Sequence, residues 1–189
     1  MKDPFNPWER ARLIDVLRGM DCRSILEIGS RYGTTLATIA RALPPKWTKL
    51  TSIDLPGGQW GSTKTMDVLT KCISDLGKEG YDAAVCFGDS RSEDSIAFAR
   101  SRAPYGFVFI DGDHNYPVAY ADWLTYGPMG RVVGFHDIAA VPKAGNPREV
   151  MGIPKLWAEL KVKHKHIEIV APTIADRMGI GLIYTSEKS

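Results

Sequence analysis

Apolar and polar positions along this chain follow two alternating periods. Short apolar runs at Ser24 to Ile28, Leu50 to Ile53, Ala83 to Phe87, Phe107 to Ile110 and Val132 to Phe135 are each followed by turn residues. Such runs read as strands buried on both faces. Between them the spacing becomes helical: Leu36, Ile39, Ala40 and Leu43 stand at i, i+3, i+4 and i+7, and Leu69, Cys72, Ile73 and Leu76 repeat the pattern. One buried stripe of a helix requires that period, and Pro44 and Gly77 are expected to stop the two helices. Ahead of the first strand, Trp8, Leu13, Ile14, Leu17 and Met20 recur at helical spacing behind Pro7, a residue suited to a helix's first turn. Alternating strands and helices bury their apolar surfaces together as a mostly parallel sheet covered on both faces. The pattern therefore predicts a doubly wound α/β domain. Its end departs from the alternation, because Ile167 to Val170 and Ile180 to Tyr184 are joined by only APTIADRMG, too short for a right-handed crossover. An antiparallel hairpin is expected there, giving seven strands.

Composition narrows the class without naming a chemistry. The 189 residues are 44% hydrophobic and 24% charged, which fits one globular domain over residues 1–189. A net charge of +2, with basic residues scattered, gives no reason to expect a nucleic-acid or membrane partner. Three cysteines, Cys22, Cys72 and Cys86, are too few and too apolar in setting for a disulfide framework, and point to reduced thiols and a cytoplasmic location. No window approaches the roughly 18 apolar residues of a membrane span. The segment IAAVPKAGNPREVMG, residues 138–152, is a long loop containing proline and glycine, of the kind that forms part of a substrate lid.

In an open parallel sheet, ligands bind outside the carboxyl ends of the strands near the point where strand order reverses, so the strand exits carry the functional reading. The first exit, ILEIGSRYGTTLATIA, places Glu27 at a strand end, with Gly29, Ser30 and Gly33 in a tight turn before a helix. Glycines there allow close backbone approach to a ligand, and a helix start favours an anion. The dinucleotide fingerprint is degenerate, since Arg31 replaces its middle glycine, and a turn serving only strand-helix packing fits equally well. Asp54 ends the second strand 21 positions beyond Gly33, where an acid can accept hydrogen bonds from a ribose diol; capping the turn before Pro56 is the alternative. Asp89 and Ser90 follow the third strand and suit either the edge of an adenine or a helix N-cap.

These three exits together resemble class I S-adenosylmethionine-dependent methyltransferases, with a Rossmann-like seven-stranded sheet, over nearly the whole chain. The resemblance implies that Glu27, Gly29 and Gly33 lie beside the amino-acid part of the cofactor, that Asp54 holds its ribose and that Asp89 contacts adenine. Further on, FVFIDGDHNY and VVGFHDI resemble a subgroup, the family 24 type, that includes macrocin-type sugar O-methyltransferases and cephalosporin hydroxylase-like proteins. By that resemblance Asp111, His136 and Asp137 would hold a divalent cation, Mg or Mn, with Asp111 also beside the cofactor, and His114 would be the general base. His136 stands where the subgroup usually has a carboxylate, which tilts metal preference away from Mg.

The chemistry is coherent on its own terms. A cation stabilises an alkoxide, and a nearby imidazole can remove the hydroxyl proton near neutrality. Neighbouring strand ends about 4.8 Å apart can share one ion. Equally, Asp111 and Asp113 can be turn and cap residues around Gly112, and His136 a packing residue. His164 and His166 read as a solvated helix end. Trp123 and Trp157 fall on apolar helix faces, while Trp60 is a candidate for stacking near adenine. The expected activity is methyl transfer from S-adenosylmethionine to a hydroxyl of a small molecule, a sugar or another diol. A non-methylating cofactor-binding relative and a metal-dependent hydrolase are the rivals. The acceptor is the expected partner, and a homodimer is left open.

Overall fold

Helix and strand alternate in the order α1 (Pro7–Gly19), β1 (Ser24–Ile28), α2 (Thr34–Arg41), β2 (Lys49–Asp54), α3 (Thr63–Lys78), β3 (Asp82–Phe87), α4 (Glu93–Arg102), β4 (Tyr105–Ile110), α5 (Tyr116–Tyr126), β5 (Gly130–His136), α6 (Gly152–Lys161), β6 (His164–Ile169) and β7 (Ile180–Lys188). The computed structural model describes residues 6–45, 48–57, 63–140, 152–173 and 178–188. The strands form one seven-stranded sheet in the order β3-β2-β1-β4-β5-β7-β6. β1 pairs in parallel with β2 on one side and β4 on the other. The chain winds outward from β1 to β3 and then back past β1 to β4 and β5, so the β1/β4 junction is the switch point of the sheet. β7 runs antiparallel between β5 and β6; this is the hairpin expected from the short connection.

Each sheet face carries its own core. Leu13, Leu17, Leu36, Ile39, Leu69 and Leu76 from α1, α2 and α3 pack with Ile25, Leu50 and Phe107 on one face. Ala119, Tyr126, Leu156 and Trp157 from α5 and α6 pack with Leu26, Val108 and Val133 on the other. The period-2 alternation of each strand thus feeds two apolar layers at once.

Several local readings change. β3 is an edge strand and only half-buried, because among the described residues only β2 pairs with it. Gly77 lies inside α3, which runs on to Lys78. In α1, Trp8 is 42% exposed whereas Glu9 is fully buried. The carboxylate of Glu9 accepts the backbone N–H groups of Ala171 at 2.9 Å and Gly179 at 3.1 Å, so the buried stripe runs through Glu9, Leu13 and Leu17 and staples α1 to the β6-β7 connection. His164 and His166 do not end a helix; they begin β6, the other edge strand, where they set ring edges against Trp123 and Trp157. Trp157 is core, as its helical position predicts, and Trp123 is partly buried against the same cluster. Trp60 and most of the 138–152 loop lie outside the described residues.

Candidate active site

The exits of β1, β2, β4 and β5 converge around the switch point. At the β1 exit, Gly29, Arg31 and Gly33 adopt φ values of 89°, 51° and 74°, so three left-handed residues fold the chain into a compact turn. The Gly29 N–H donates to the Ile53 carbonyl at 2.8 Å, which ties the turn to β2. A Cβ at Gly29 would stand 2.4 Å from the Asp111 carbonyl oxygen and 2.5 Å from Gly112 Cα. Glycine is required here because the β1 and β4 exits cross at backbone distance. At Gly33 the Cβ would stand 2.7 Å from the Cys72 sulfur on α3. Both glycines are thus already demanded by the protein's own packing, before any ligand is considered.

Glu27 is buried beneath this turn, and its Oε2 has no hydrogen-bond partner among the described residues. Burial, reinforced by the nearby Asp111 and Asp54 carboxylates, pushes its pKa up to about 8. Ser30 beside it shares a 2.7 Å hydrogen bond with Ser52. Asp54 accepts the Arg31 backbone N–H at 2.6 Å; burial raises its pKa and that bond works against the rise. Arg31, which broke the glycine fingerprint, therefore connects the first exit to the second. Asp89 is committed differently from expectation: Arg91 bonds Oδ1 through Nε at 2.9 Å and Oδ2 through Nη2 at 2.6 Å, with the Arg91 N–H also on Oδ1. This pairing holds the Asp89 carboxyl down to about 2.

At the β4 and β5 exits four side chains close a ring. His114 Nδ1 lies 3.0 Å from Asp137 Oδ2, and its Nε2 lies 3.5 Å from Asp111 Oδ1. His136 Nδ1 lies 3.1 Å from the same Asp111 oxygen and 3.2 Å from Asp137 Oδ1. Two imidazoles thus bridge two carboxylates. Asp137 reaches the ring because it adopts φ 65° directly after β5, a conformation sparsely used by residues other than glycine. The His114 side chain is 26% exposed, against 6% for His136, so His114 is the imidazole more open to solvent. Burial would raise the pKa of Asp111, yet the two histidines outweigh it and hold the carboxyl well down. In His114 the burial effect is likewise overturned by Asp111 and Asp137, which push the imidazole up to about 10. The free neutral base implied by the resemblance is therefore replaced by an imidazole that keeps its proton near pH 7.

Asp113 stands outside the ring, accepting the Asn115 N–H at 2.9 Å and its side-chain amide at 2.6 Å, in a turn preceding α5. A divalent cation is the expectation at Asp111, His136 and Asp137, and the geometry there is that of mutual ion pairs. Their nitrogen and oxygen atoms engage one another at ion-pair distances, and among the described residues no group of three or more His, Cys, Asp or Glu is arranged to hold a metal ion.

Two residues escaped the sequence reading. Asp122 is an acid in the otherwise mostly apolar α5, yet it is buried together with Ala119 and Tyr126 at i−3 and i+4; that helical spacing was the available signal. The Tyr126 hydroxyl donates to the Ser90 carbonyl, pinning the β3 exit against α5.

A doubly wound sheet of this kind binds ligands in the crevice outside its strand exits at the switch point, which is where these acids and the acid-base ring gather. The chain belongs to the methyltransferase family 24, whose profile, described as a methyltransferase domain, matches residues 26–138. That span contains all five exits discussed above. Among solved structures, the chain is similar to the O-methyltransferase from Bacillus cereus in complex with SAH, at 20% identity and TM-score 0.70, covering 96% of this chain and 82% of that one. It is similar also to cofactor-bound Rv0187 from MTB, at 17% identity and TM-score 0.72, covering 97% and 82%. A third is the O-methyltransferase TomG from Streptomyces achromogenes, involved in tomaymycin synthesis and in complex with SAM, at 22% identity and TM-score 0.66, covering 95% and 80%. No curated protein matches the chain in sequence. Among the described residues no helix is long and apolar enough to cross a membrane.

Proposed function

We propose that this methyltransferase moves the methyl group of S-adenosylmethionine to a hydroxyl oxygen of a small molecule, with a sugar or another diol as the acceptor class. The observation that carries the reading is the convergence, at one switch point, of two strand-exit acids, Glu27 and Asp54, with the partly exposed ring of His114. The SAH-bound and SAM-bound O-methyltransferases of the same fold support it.

Asp54, steadied by the Arg31 N–H, is placed to accept hydrogen bonds from the ribose. Glu27 lies where a ligand ammonium would favour its ionised form. In the transfer, the acceptor oxygen forms a bond to the methyl carbon as the carbon–sulfur bond breaks, and the electron pair leaves on sulfur. The hydroxyl proton goes to the fraction of His114 whose Nε2 has shed its own proton, a fraction that grows as pH rises toward about 10. Of its two nitrogens, Nδ1 is held by Asp137 at 3.0 Å while Nε2 meets Asp111 more loosely, at 3.5 Å. Nδ1 therefore orients the ring and Nε2 is the atom that can turn to the acceptor. Nothing in this sequence of events is routed through a metal. Alignment of oxygen, carbon and sulfur supplies most of the acceleration, since the sulfonium is already electrophilic.

The test is calorimetry with S-adenosylhomocysteine on the wild type and on Asp54→Ala, followed by incubation of candidate polyols with methyl-labelled donor. Binding by the wild type, weakened at least about tenfold by the substitution through loss of charge-assisted hydrogen bonds, and label recovered as a methyl ether support the reading. A wild type that does not bind the nucleoside sinks it.

A further inference from the structure

Glu9 is fully buried although it lies in the first turn of α1. Its Oε1 accepts the Ala171 N–H at 2.9 Å and the Gly179 N–H at 3.1 Å, and Oε2 meets the latter again at 3.2 Å. One carboxylate therefore holds both ends of the β6-β7 connection. Bonds of this charge-assisted kind are the strong ones, and they offset the cost of burying the group. The same connection lies against the exit of β5. The Ile138 N–H donates to the Gly179 carbonyl at 3.3 Å and the Ala139 N–H to the Met178 carbonyl at 2.8 Å, while His136 pairs with Ile180 in the ladder. A Cβ on Gly179 would stand 2.9 Å from Ile138 Cγ1 and 3.0 Å from Ala139 Cβ, so the two segments touch with no room between them.

Asp137 stands in the middle of these anchors. It adopts φ 65°, a conformation that a residue other than glycine keeps only where its surroundings over-determine it. The residues on either side of it, His136, Ile138 and Ala139, pair with or donate to residues 178–180, and Glu9 grips that stretch at Gly179. Asp137 Oδ2 in turn lies 3.0 Å from His114 Nδ1. We propose that Glu9 is a positioning residue for the methyl-transfer site: from the first helix, through Gly179 and the turn at Ile138 and Ala139, it fixes Asp137 and thereby the orientation of the His114 ring. This rests on the reading of His114 as proton acceptor and deepens it. Glu9 itself touches no reacting atom. Without its carboxylate the backbone at 178–180 is free to shift, and Asp137 moves with it. A misplacement of about 1 Å at the reacting groups costs on the order of a hundredfold in rate. Asp54, three strands away from β5 in the sheet, keeps its bond from the Arg31 N–H, so the nucleoside side of the site is undisturbed.

The experiment compares the wild type with Glu9→Ala, Glu9→Gln and Gly179→Ala, with thermal melts to give the folded fraction. Three quantities are read at one pH: the NMR signals of the His114 ring nitrogens in the ligand-free protein, the affinity for S-adenosylhomocysteine by calorimetry, and kcat per folded molecule for transfer of labelled methyl to the polyol that the labelled-donor screen finds. Glu9→Ala should move the His114 ring signals, leave those of His164 in place, keep the nucleoside Kd within about threefold and lower kcat about tenfold or more. Glu9→Gln keeps an oxygen at the Oε1 position, which by itself accepts both N–H groups, and should restore the His114 signals and bring kcat within about threefold of the wild type. Gly179→Ala leaves Glu9 in place but drives a methyl group into Ile138 and Ala139; it should reproduce the Glu9→Ala pattern, and it carries the test if Glu9→Ala does not fold. A Glu9 that only stabilises the fold would lower the melting temperature and leave the His114 signals and kcat per folded molecule unchanged, which would overturn the proposal, as would a nucleoside affinity that falls in step with kcat. A wild type that methylates no polyol sinks the reading of the reaction, and the ring signals alone then decide whether Glu9 holds Asp137 against His114.

Discussion

Glu27 should make the protein less stable as pH rises, and Glu27→Gln should remove that dependence. The folded carboxyl titrates at about 8, against an ordinary value near 4.5, because ionising it would place a charge in a buried site beside Asp111 and Asp54. A raised folded pKa means that the native state holds a proton the unfolded chain has already released. By linkage, stability is then fully present below the unfolded value and is lost as pH climbs toward the folded one. The slope cannot exceed about 1.4 kcal/mol per pH unit for one proton, and it softens as pH nears 8. Between pH 6 and pH 8 the expected loss is therefore about 2 kcal/mol, or on the order of 5 °C in melting temperature for a domain of this size. The assay is urea unfolding of the wild type and Glu27→Gln at pH 6, 7 and 8 and constant ionic strength. Taking the difference between the two proteins cancels every other titrating group. The wild type should lose ground to the variant as pH rises. Parallel curves, or a wild type that gains on the variant, would refute the assignment of a proton to the buried carboxyl.

Two further outcomes follow from the same geometry. Gly29→Ala combines a left-handed φ with a Cβ 2.4 Å from a backbone oxygen and should cost about 2–4 kcal/mol in chemical denaturation; Gly57→Ala, left-handed but with nothing near its Cβ position among the described residues, should cost only about 1 kcal/mol, and equal costs would show that the β1 and β4 exits do not cross closely. For the reaction, kcat/KM should keep rising with pH through 7 to 9, because Nε2 of His114 must shed its proton to accept another and the ring titrates at about 10. Replacing His114 with Ala should flatten that limb and slow turnover by on the order of a hundredfold or more, whereas a wild-type profile already level by pH 7.5 would count against His114 as the proton acceptor.

How far the sequence reaches is set by which contacts are local. Strand and helix positions were legible because burial on two sheet faces imposes a period on every apolar run, and β1, β4 and the hairpin came out nearly as read. The limits show where an edge or a distant partner intervenes. β3 has the composition of an inner strand yet lies at an edge, and KVKHKH reads as a charged helix end until β7 supplies the neighbour that draws its last three residues into a strand. At the site, residue type and strand-exit position were enough to bring Asp111, His114, His136 and Asp137 together, because the topology forces the exits of β4 and β5 to be adjacent. What no local pattern contains is how such groups divide their protons and partners. Asp89 has the position of an adenine contact, and Arg91, two residues away, already bonds both its oxygens. His114 has the position of a base, but its two carboxylate neighbours hold the proton in place. Glu9 and Asp122 look like surface acids until the fold buries them, one against the backbone N–H groups at the β6-β7 connection and the other beneath Gly112. Chemistry at this site is therefore a property of pairs separated in sequence, and only their geometry decides which carboxylates are available to a ligand and which are already spent on the protein itself.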